Sequence, residues 1–479
     1  MAITKSLLNT YAESDALDLA GLVQRGEVAA TEWVECAVTL IEKLNPELNA
    51  VVHKLYDMGR EAATVVDRNA PFAGVPFLLK ELASCWKNAP LTNSSRYLKD
   101  NIATDDWELS RRIRAAGLLV LGKSNAPENG WSIGTEPKLY GVTNNPWKEG
   151  VTPGGSSGGT AAAVASRMVP IGEASDGAGS IRVPASCCGL VGLKPSRGRV
   201  TLAPFGDVYY GGAYFLACTR TVRDTAAYLD AVAGATPGDA YTPPKPADRW
   251  LDNSLRSPRE LRIGFSLTPP NGTSVDPQVK AVVLAAIKAL EERGHRVEEH
   301  DMRLDGNAAW QTYTNMTYVQ TAAMFDQLAL TVGRAVTPDD VEPVTWATIE
   351  RGRSITGIDH INDVERLRVL GREVVADLSP YDLFVTPTLT QLPRQIGYYD
   401  MSLEDIDTYN ARWADSIFMF PFNFSGQPAI SLPLGWSFDG IPIGVQLVGR
   451  YGDEATVLAA STQLEQAMPW KDRRPRISA

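Results

Sequence analysis

A helix, a glycine and a short aliphatic strand follow one another at several places in this chain, and that step is what a parallel sheet with helices on its faces produces. The clearest instance runs from the basic helix around Ser110-Arg-Arg-Ile-Arg-Ala-Ala116 into Gly117-Leu-Leu-Val-Leu-Gly122. It recurs at residues 281–292, Gly294 and residues 295–297, and again near residues 374–378 with Leu383-Phe-Val385; Leu261-Arg-Ile-Gly-Phe265 is one strand more. Gly74-Val-Pro-Phe-Leu-Leu-Lys80 reads as a short buried strand, and Ile430-Ser-Leu-Pro-Leu434 and residues 442–448 as two others before a helix from Glu454 to about residue 467. Near the start, the apolar stripe over residues 17–23 predicts a helix broken at Gly26, with Thr31 as cap of a second helix reaching Ile41. A strand is expected at Leu48-Asn-Ala-Val-Val52 and helix at residues 60–63.

A length of 479 residues exceeds what one hydrophobic core usually serves, so size alone favours two domains. The Pro-, Asp- and Ser-rich stretch 234–258 is then the candidate boundary, and the mostly helical residues 300–370 form a cap. A formal net charge of −10 opposes non-specific binding to nucleic acid or anionic membranes. No window supplies the roughly eighteen apolar residues of a membrane span, and the first residues lack a signal-peptide core. Five cysteines (36, 85, 187, 188 and 218) make neither a CxxC pair nor a secreted framework, so reduced, buried thiols and a cytoplasmic location are expected.

Chemistry concentrates in two glycine-rich segments that each hold a serine. Gly154-Gly-Ser-Ser-Gly-Gly159 opens a run of small residues, and Asp176-Gly-Ala-Gly-Ser-Ile-Arg182 presents Ser180 on a glycine turn, 24 positions after Ser156. The four histidines (53, 295, 300 and 360) lie outside every glycine-rich segment, which leaves a serine without its usual base. Lysine replaces histidine where burial disfavours the ammonium form, and Lys80 ends the apolar run Phe77-Leu-Leu79. Ser156 would relay the proton between Lys80 and Ser180. Gly177, Ala178, Gly179 and Ser180 would offer consecutive N–H groups to an oxyanion, each such donor being worth roughly 3–4 kcal/mol of barrier. A strained or cis peptide at Gly154-Gly155 would aim the Ser156 hydroxyl. Taken singly, each feature also has a plain structural explanation: a flexible turn, a solvated strand end, an Asp176–Arg182 ion pair that holds the turn. Neither a P-loop nor a dinucleotide fingerprint fits the spacing.

In order and spacing together, the segments resemble the amidase signature family over nearly the whole chain. The matching stretches are Gly74 to Lys80, Gly122-Lys-Ser-Asn125, Asn144-Asn-Pro-Trp147, the two serine segments, Gly189-Leu-Val-Gly-Leu-Lys-Pro195, Gly426-Gln-Pro-Ala-Ile-Ser-Leu-Pro433 and Gly444-Val-Gln-Leu-Val-Gly449. The resemblance implies one large α/β domain over residues 1–479, a mixed central sheet flanked by helices with a helical cap, in place of the two domains suggested by size. It also implies a Ser-Ser-Lys triad of Lys80, Ser156 and Ser180, an acyl-enzyme intermediate, and neither metal nor cofactor. Within the family the chain looks most like 6-aminohexanoate cyclic-dimer (nylon oligomer) hydrolases, aryl acylamidases and carbamate-cleaving urethanases. Two departures stand out: Ala178 replaces a glycine the family usually has, and Thr317 aligns where nylon-oligomer members carry cysteine.

The expected substrate is a small neutral amide, with carbamates and anilides beside it. Asn129 is the candidate for hydrogen-bonding the substrate, and Trp131, Ile133 and Thr317 are candidates for the pocket wall, with Tyr318, Phe325, Phe418 and Phe420 behind them. Trp131 has plain core packing as its alternative. A homodimer is compatible with the sequence. The competing function is an ammonia-channelling amidotransferase A-type subunit acting with a partner; such subunits usually have glutamine after Ser-Ile-Arg, where this chain has Val183.

Overall fold

Eleven strands build one mixed sheet in the structure, a computed structural model that describes residues 3–479. They are β1 (Val51–Lys54), β2 (Val75–Lys80), β3 (Leu118–Ser124), β4 (Ile171–Asp176), β5 (Val191–Lys194), β6 (Tyr214–Thr219), β7 (Arg262–Phe265), β8 (Arg296–Glu299), β9 (Leu383–Pro387), β10 (Ala429–Trp436) and β11 (Pro442–Gly449). In space they run β1-β3-β2-β4-β6-β5-β10-β11-β9-β7-β8.

The two helix–glycine–strand steps, and the glycine-free step from helix to strand before β9, each make a parallel pair. Helix Glu108–Ala115 turns through Gly117, at φ +85°, into β3, which lies parallel to β2. Helix Pro277–Glu291 turns through Gly294 into β8, parallel to β7, and helix Gly357–Leu378 leads into β9, also parallel to β7. The centre of the sheet is antiparallel, from β4 through β6, β5, β10 and β11 to β9. The pattern read from the sequence thus describes the two flanks, and the mixed sheet is the one the family resemblance implies.

Several local expectations are corrected. The strand expected from Leu48 begins only at Val51, because Leu48 ends helix Ala30–Leu48 and Asn49 closes that helix in the left-handed region at φ 48°. Thr31 lies inside that helix; Ala29 stands at its start, where the Glu32 carboxylate accepts the Ala29 N–H. Residues 234–258 contain the short helix Trp250–Ser254, whose buried Trp250 packs into the body of the protein, so no domain boundary falls there. One apolar core extends from Tyr11 to Ile477. A small satellite cluster joins Tyr97 and Leu98 to Phe325, Val341 and Ile349 of the mostly helical segment, whose helices are Gly306–Val332, Pro343–Ser354 and Gly357–Leu378, with Val341 between the first two. Strand β4 has no apolar alternation because Glu173, Ser175 and Asp176 are all buried in it.

Candidate active site

Strand β2 delivers Lys80 to the end of the sheet with its side chain fully buried. Its Nζ donates to Ser156 Oγ at 2.7 Å and to Ser175 Oγ at 2.9 Å. Burial pulls the amine down from its ordinary 10.5 to about 7, against the opposing charges of Glu173 and Asp176. At neutral pH a large share of this lysine is therefore an unprotonated acceptor.

Ser156 sits just before helix Gly158–Ala165, and the Gly155–Ser156 peptide bond is cis. The chain reaches it through Gly154, at φ +80°, a conformation that side chains resist. Any side chain at Gly159 would meet the Asn125 backbone at 2.4 Å, so the helix start is pressed against the segment after β3.

Ser180 follows β4 on the turn that leads into helix Arg182–Cys188. The Asp176 carboxylate organises this turn. It accepts the N–H groups of Gly179 (2.7 Å) and Ile181 (3.2 Å), two bonds from the Arg182 guanidinium (both 2.9 Å) and one from Asn423 (2.9 Å). Burial would raise this carboxyl, but Arg182 and the hydrogen bonds of Arg182 and Asn423 hold it well below the usual carboxylate range. Gly179, at φ +119°, is the residue in the left-handed half of conformational space, and Ala178 is outside it, which explains why alanine is tolerated there.

The four expected oxyanion donors therefore divide. The Gly179 N–H is committed to Asp176. Those of Gly177, Ala178 and Ser180 have no acceptor among the described residues and remain available. Tyr313, from helix Gly306–Val332, donates its hydroxyl to the Gly177 carbonyl and so braces the turn from the opposite side.

Ser156, Ser175 and Ser180 all face one cavity of about 570 Å³, while Lys80 lies behind its wall. Among the described residues no hydrogen bond joins Ser156 to Ser180. Among the described residues, the only charged ones lining it are Asp176, which is paired to Arg182, and Asp207. Asn129 and Trp131 line the cavity, and neither amide atom of Asn129 nor the Trp131 indole nitrogen has a hydrogen-bond partner. Thr317 lines it too, with its hydroxyl donating to the Thr314 carbonyl at 2.8 Å. Ile133 is a correction: it is buried beside Thr152, Val183 and Leu389, outside this cavity, because the chain turns inward after Trp131. Tyr318, Phe325, Phe418 and Phe420 are likewise buried behind the lining, and none of the histidines reaches it.

Sequence reasoning missed Ser175, Trp310, Tyr313, Tyr409 and Trp413. Ser175 had a signal, since it precedes Asp176 in the same segment. The aromatic residues had none, because helices far apart in the chain bring them to the cavity.

Known proteins match this chain along nearly its full length. The amidase family profile matches residues 32–458. A 6-aminohexanoate-cyclic-dimer hydrolase of Paenarthrobacter ureafaciens is 38% identical over 477 residues, covering 97% of this chain and 96% of that protein. An acylamidase of Rhodococcus erythropolis is 32% identical, covering 97% of each. The solved structure of a 6-aminohexanoate cyclic dimer hydrolase with its substrate superposes with a TM-score of 0.93 at 36% identity, covering 98% of this chain and all of that one. With that profile, these identities and the shared single-domain fold, the chain belongs to the amidase signature family of hydrolases.

Proposed function

We propose that this protein hydrolyses the C–N bond of small neutral amides, with carbamates and anilides also accepted, through a Ser180 acyl-enzyme. The observation that carries this reading is the Lys80 Nζ–Ser156 Oγ hydrogen bond of 2.7 Å at the buried floor of a cavity that Ser180 also faces. Neutral Lys80 accepts the proton of Ser156, which accepts that of Ser180 as Ser180 Oγ attacks the carbonyl carbon. The free N–H groups of Gly177, Ala178 and Ser180 are the donors for the oxygen that becomes negative. The proton returns through Ser156 to the leaving nitrogen, the C–N bond breaks, and water releases the acyl group by the reverse route.

A neutral substrate is supported by a lining without lysine, arginine or glutamate. Asn129 has donor and acceptor free for a polar group of the substrate, and Trp131 and Thr317 form part of the wall. The segment around helix Gly306–Val332 acts as the cap over this site. The test is turnover of a chromogenic anilide and an aryl carbamate by the purified chain beside Ser180→Ala. Turnover by the wild type alone supports the assignment. Equal turnover by both proteins, or none by a folded wild type on any neutral amide tried, counts against it.

A further inference from the structure

Strands β2 and β4 run parallel but pair only at Phe77↔Ile171 and Leu78↔Gly172. Beyond that their pairing ends, and there the Lys80 amine hydrogen-bonds Ser156 and Ser175 of β4. The end of pairing leaves the Lys80 backbone N–H without a ladder partner on β4. A side chain fills that role: Glu173 of β4, 1% exposed, accepts the Lys80 N–H on Oε2 at 3.1 Å. The same oxygen accepts the hydroxyl of Ser84, from the segment whose Leu82, Ala83 and Cys85 line the cavity. On its own strand the Glu173 carbonyl accepts Thr160 Oγ1 at 2.7 Å, tying β4 to helix Gly158–Ala165 just after Ser156. One residue thus joins the strand carrying Lys80, the strand leading to Ser180, the helix behind Ser156 and a wall of the cavity.

A buried carboxylate needs a reason to be there, since aliphatic residues would fill the space without desolvation cost. The other ionisable groups around it are already matched or neutral. Lys123 of β3 pairs with Glu81 at 2.8 Å, and Asp176 pairs with Arg182 at 2.9 Å. Burial pushes the thiol of Cys218, on β6, up to about 12, and raises the Tyr228 phenol, on helix Val222–Val232, well above its ordinary value. That leaves Lys80 as the nearby amine that no carboxylate pairs with: its Nζ hydrogen-bonds Ser156 and Ser175, and it meets Glu173 through its backbone N–H. Burial raises the Glu173 carboxyl above its ordinary value, and the Ser84 and Lys80 hydrogen bonds and the Lys123 and Lys80 charges oppose that rise without reversing it.

We propose that Glu173 is a positioning residue for Lys80: its carboxylate substitutes for the missing strand partner, fixes the lysine backbone beneath Ser156, and stands as the counter-charge behind the amine. This rests on Lys80 being the base.

Glu173→Gln tests it, because the amide keeps one oxygen for both donors while losing the charge. The measurement is kcat and KM for a neutral anilide from about pH 5.5 to 9.5, beside wild type, Glu173→Asp and Ser84→Ala. In Glu173→Gln the acid limb of kcat/KM should move to lower pH by ~1 unit, since an opposite charge close to the amine has been removed. KM should stay within about twofold. Glu173→Asp keeps the charge but shortens the reach, so its limb should stay in place while kcat falls about tenfold. Ser84→Ala leaves charge and Lys80 contact intact and should leave the limb unmoved. A Glu173→Gln limb that coincides with wild type overturns the proposal. Should Glu173→Gln fail to fold, a Glu173→Asp enzyme with wild-type kcat overturns it equally. A wild-type profile with no acid limb, or a Lys80→Ala enzyme as active as wild type, removes the base itself and the proposal with it; a wild-type limb that Glu173→Gln does not move removes Glu173 alone.

Discussion

At the residue scale, the proposed mechanism turns on the proton affinity of Lys80. Burial brings it down to about 7, so the base form dominates above neutrality, and kcat/KM should rise through about pH 7 and then level off. A profile flat from mildly acidic to alkaline pH would contradict a lysine base. The same depression has a stability consequence. Between about 7 and the ordinary 10.5 the unfolded chain binds one more proton at this position than the folded chain, so stability rises with pH across that window. Lys80→Met removes that dependence, so the Tm of the variant relative to wild type should fall as pH climbs from about 7 towards ~10, as thermal melts at several pH values would show. Ser180→Ala should lower kcat by about 10³-fold or more while leaving Tm unchanged, measured by steady-state kinetics beside circular dichroism. The adjacent turn separates two small residues by backbone alone. Ala178→Gly should keep kcat within about threefold. Gly179→Ala should abolish turnover, because its φ of +119° disfavours a side chain and a Cβ there would lie 2.8 Å from Met419 Cγ.

At the scale of elements, the unit that matters is β4, its turn and helix Arg182–Cys188. Arg182 is wholly buried, and beyond Asp176 it donates to the Met419 carbonyl, Gln446 and Asn423 at 3.0, 2.8 and 2.7 Å. The ion pair read from the sequence as a brace for the turn is the centre of a network that reaches β11 and the helix Pro421–Ser425. Removing the guanidinium would strand a buried carboxylate. Arg182→Met should cost about 3–5 kcal/mol in urea unfolding, and kcat should fall even where the protein remains folded. Loss of activity with an unchanged urea midpoint would indicate that Arg182 acts on the substrate instead of on the turn.

At the scale of the whole molecule, one sheet runs from β1 to β8 and one core from the first helices to the C-terminal tail. Such a chain should unfold as one unit. Far-ultraviolet circular dichroism and tryptophan fluorescence should give coincident transitions, whereas two separated transitions would restore the division that chain length alone suggested. Among the described residues no helix is long and apolar enough to cross a membrane. The cavity belongs to this scale as well, since its walls come from segments as distant as Leu82 and Trp413.

What the sequence determined by itself follows from local chemistry. Glycine–strand steps predicted the parallel flanks because a chain leaving a helix needs a left-handed residue, as Gly117 and Gly294 supply. The two glycine-rich serine segments and the buried end of β2 marked the candidate site that the structure brings together, because sharp turns and apolar runs are written in consecutive residues. The pocket wall was only half legible: Asn129, Trp131 and Thr317 line the cavity, but Ile133, two residues from Trp131, points into the core. Strand β4 escaped notice because the site demands polar residues where a buried strand is usually apolar. Only the tertiary structure decided that Gly179 gives up its N–H to Asp176, that Ser175 shares Lys80 with Ser156, and that Glu173 accepts the Lys80 N–H where two strands stop pairing. Each depends on where separate segments meet, and the sheet as a whole sets that placement.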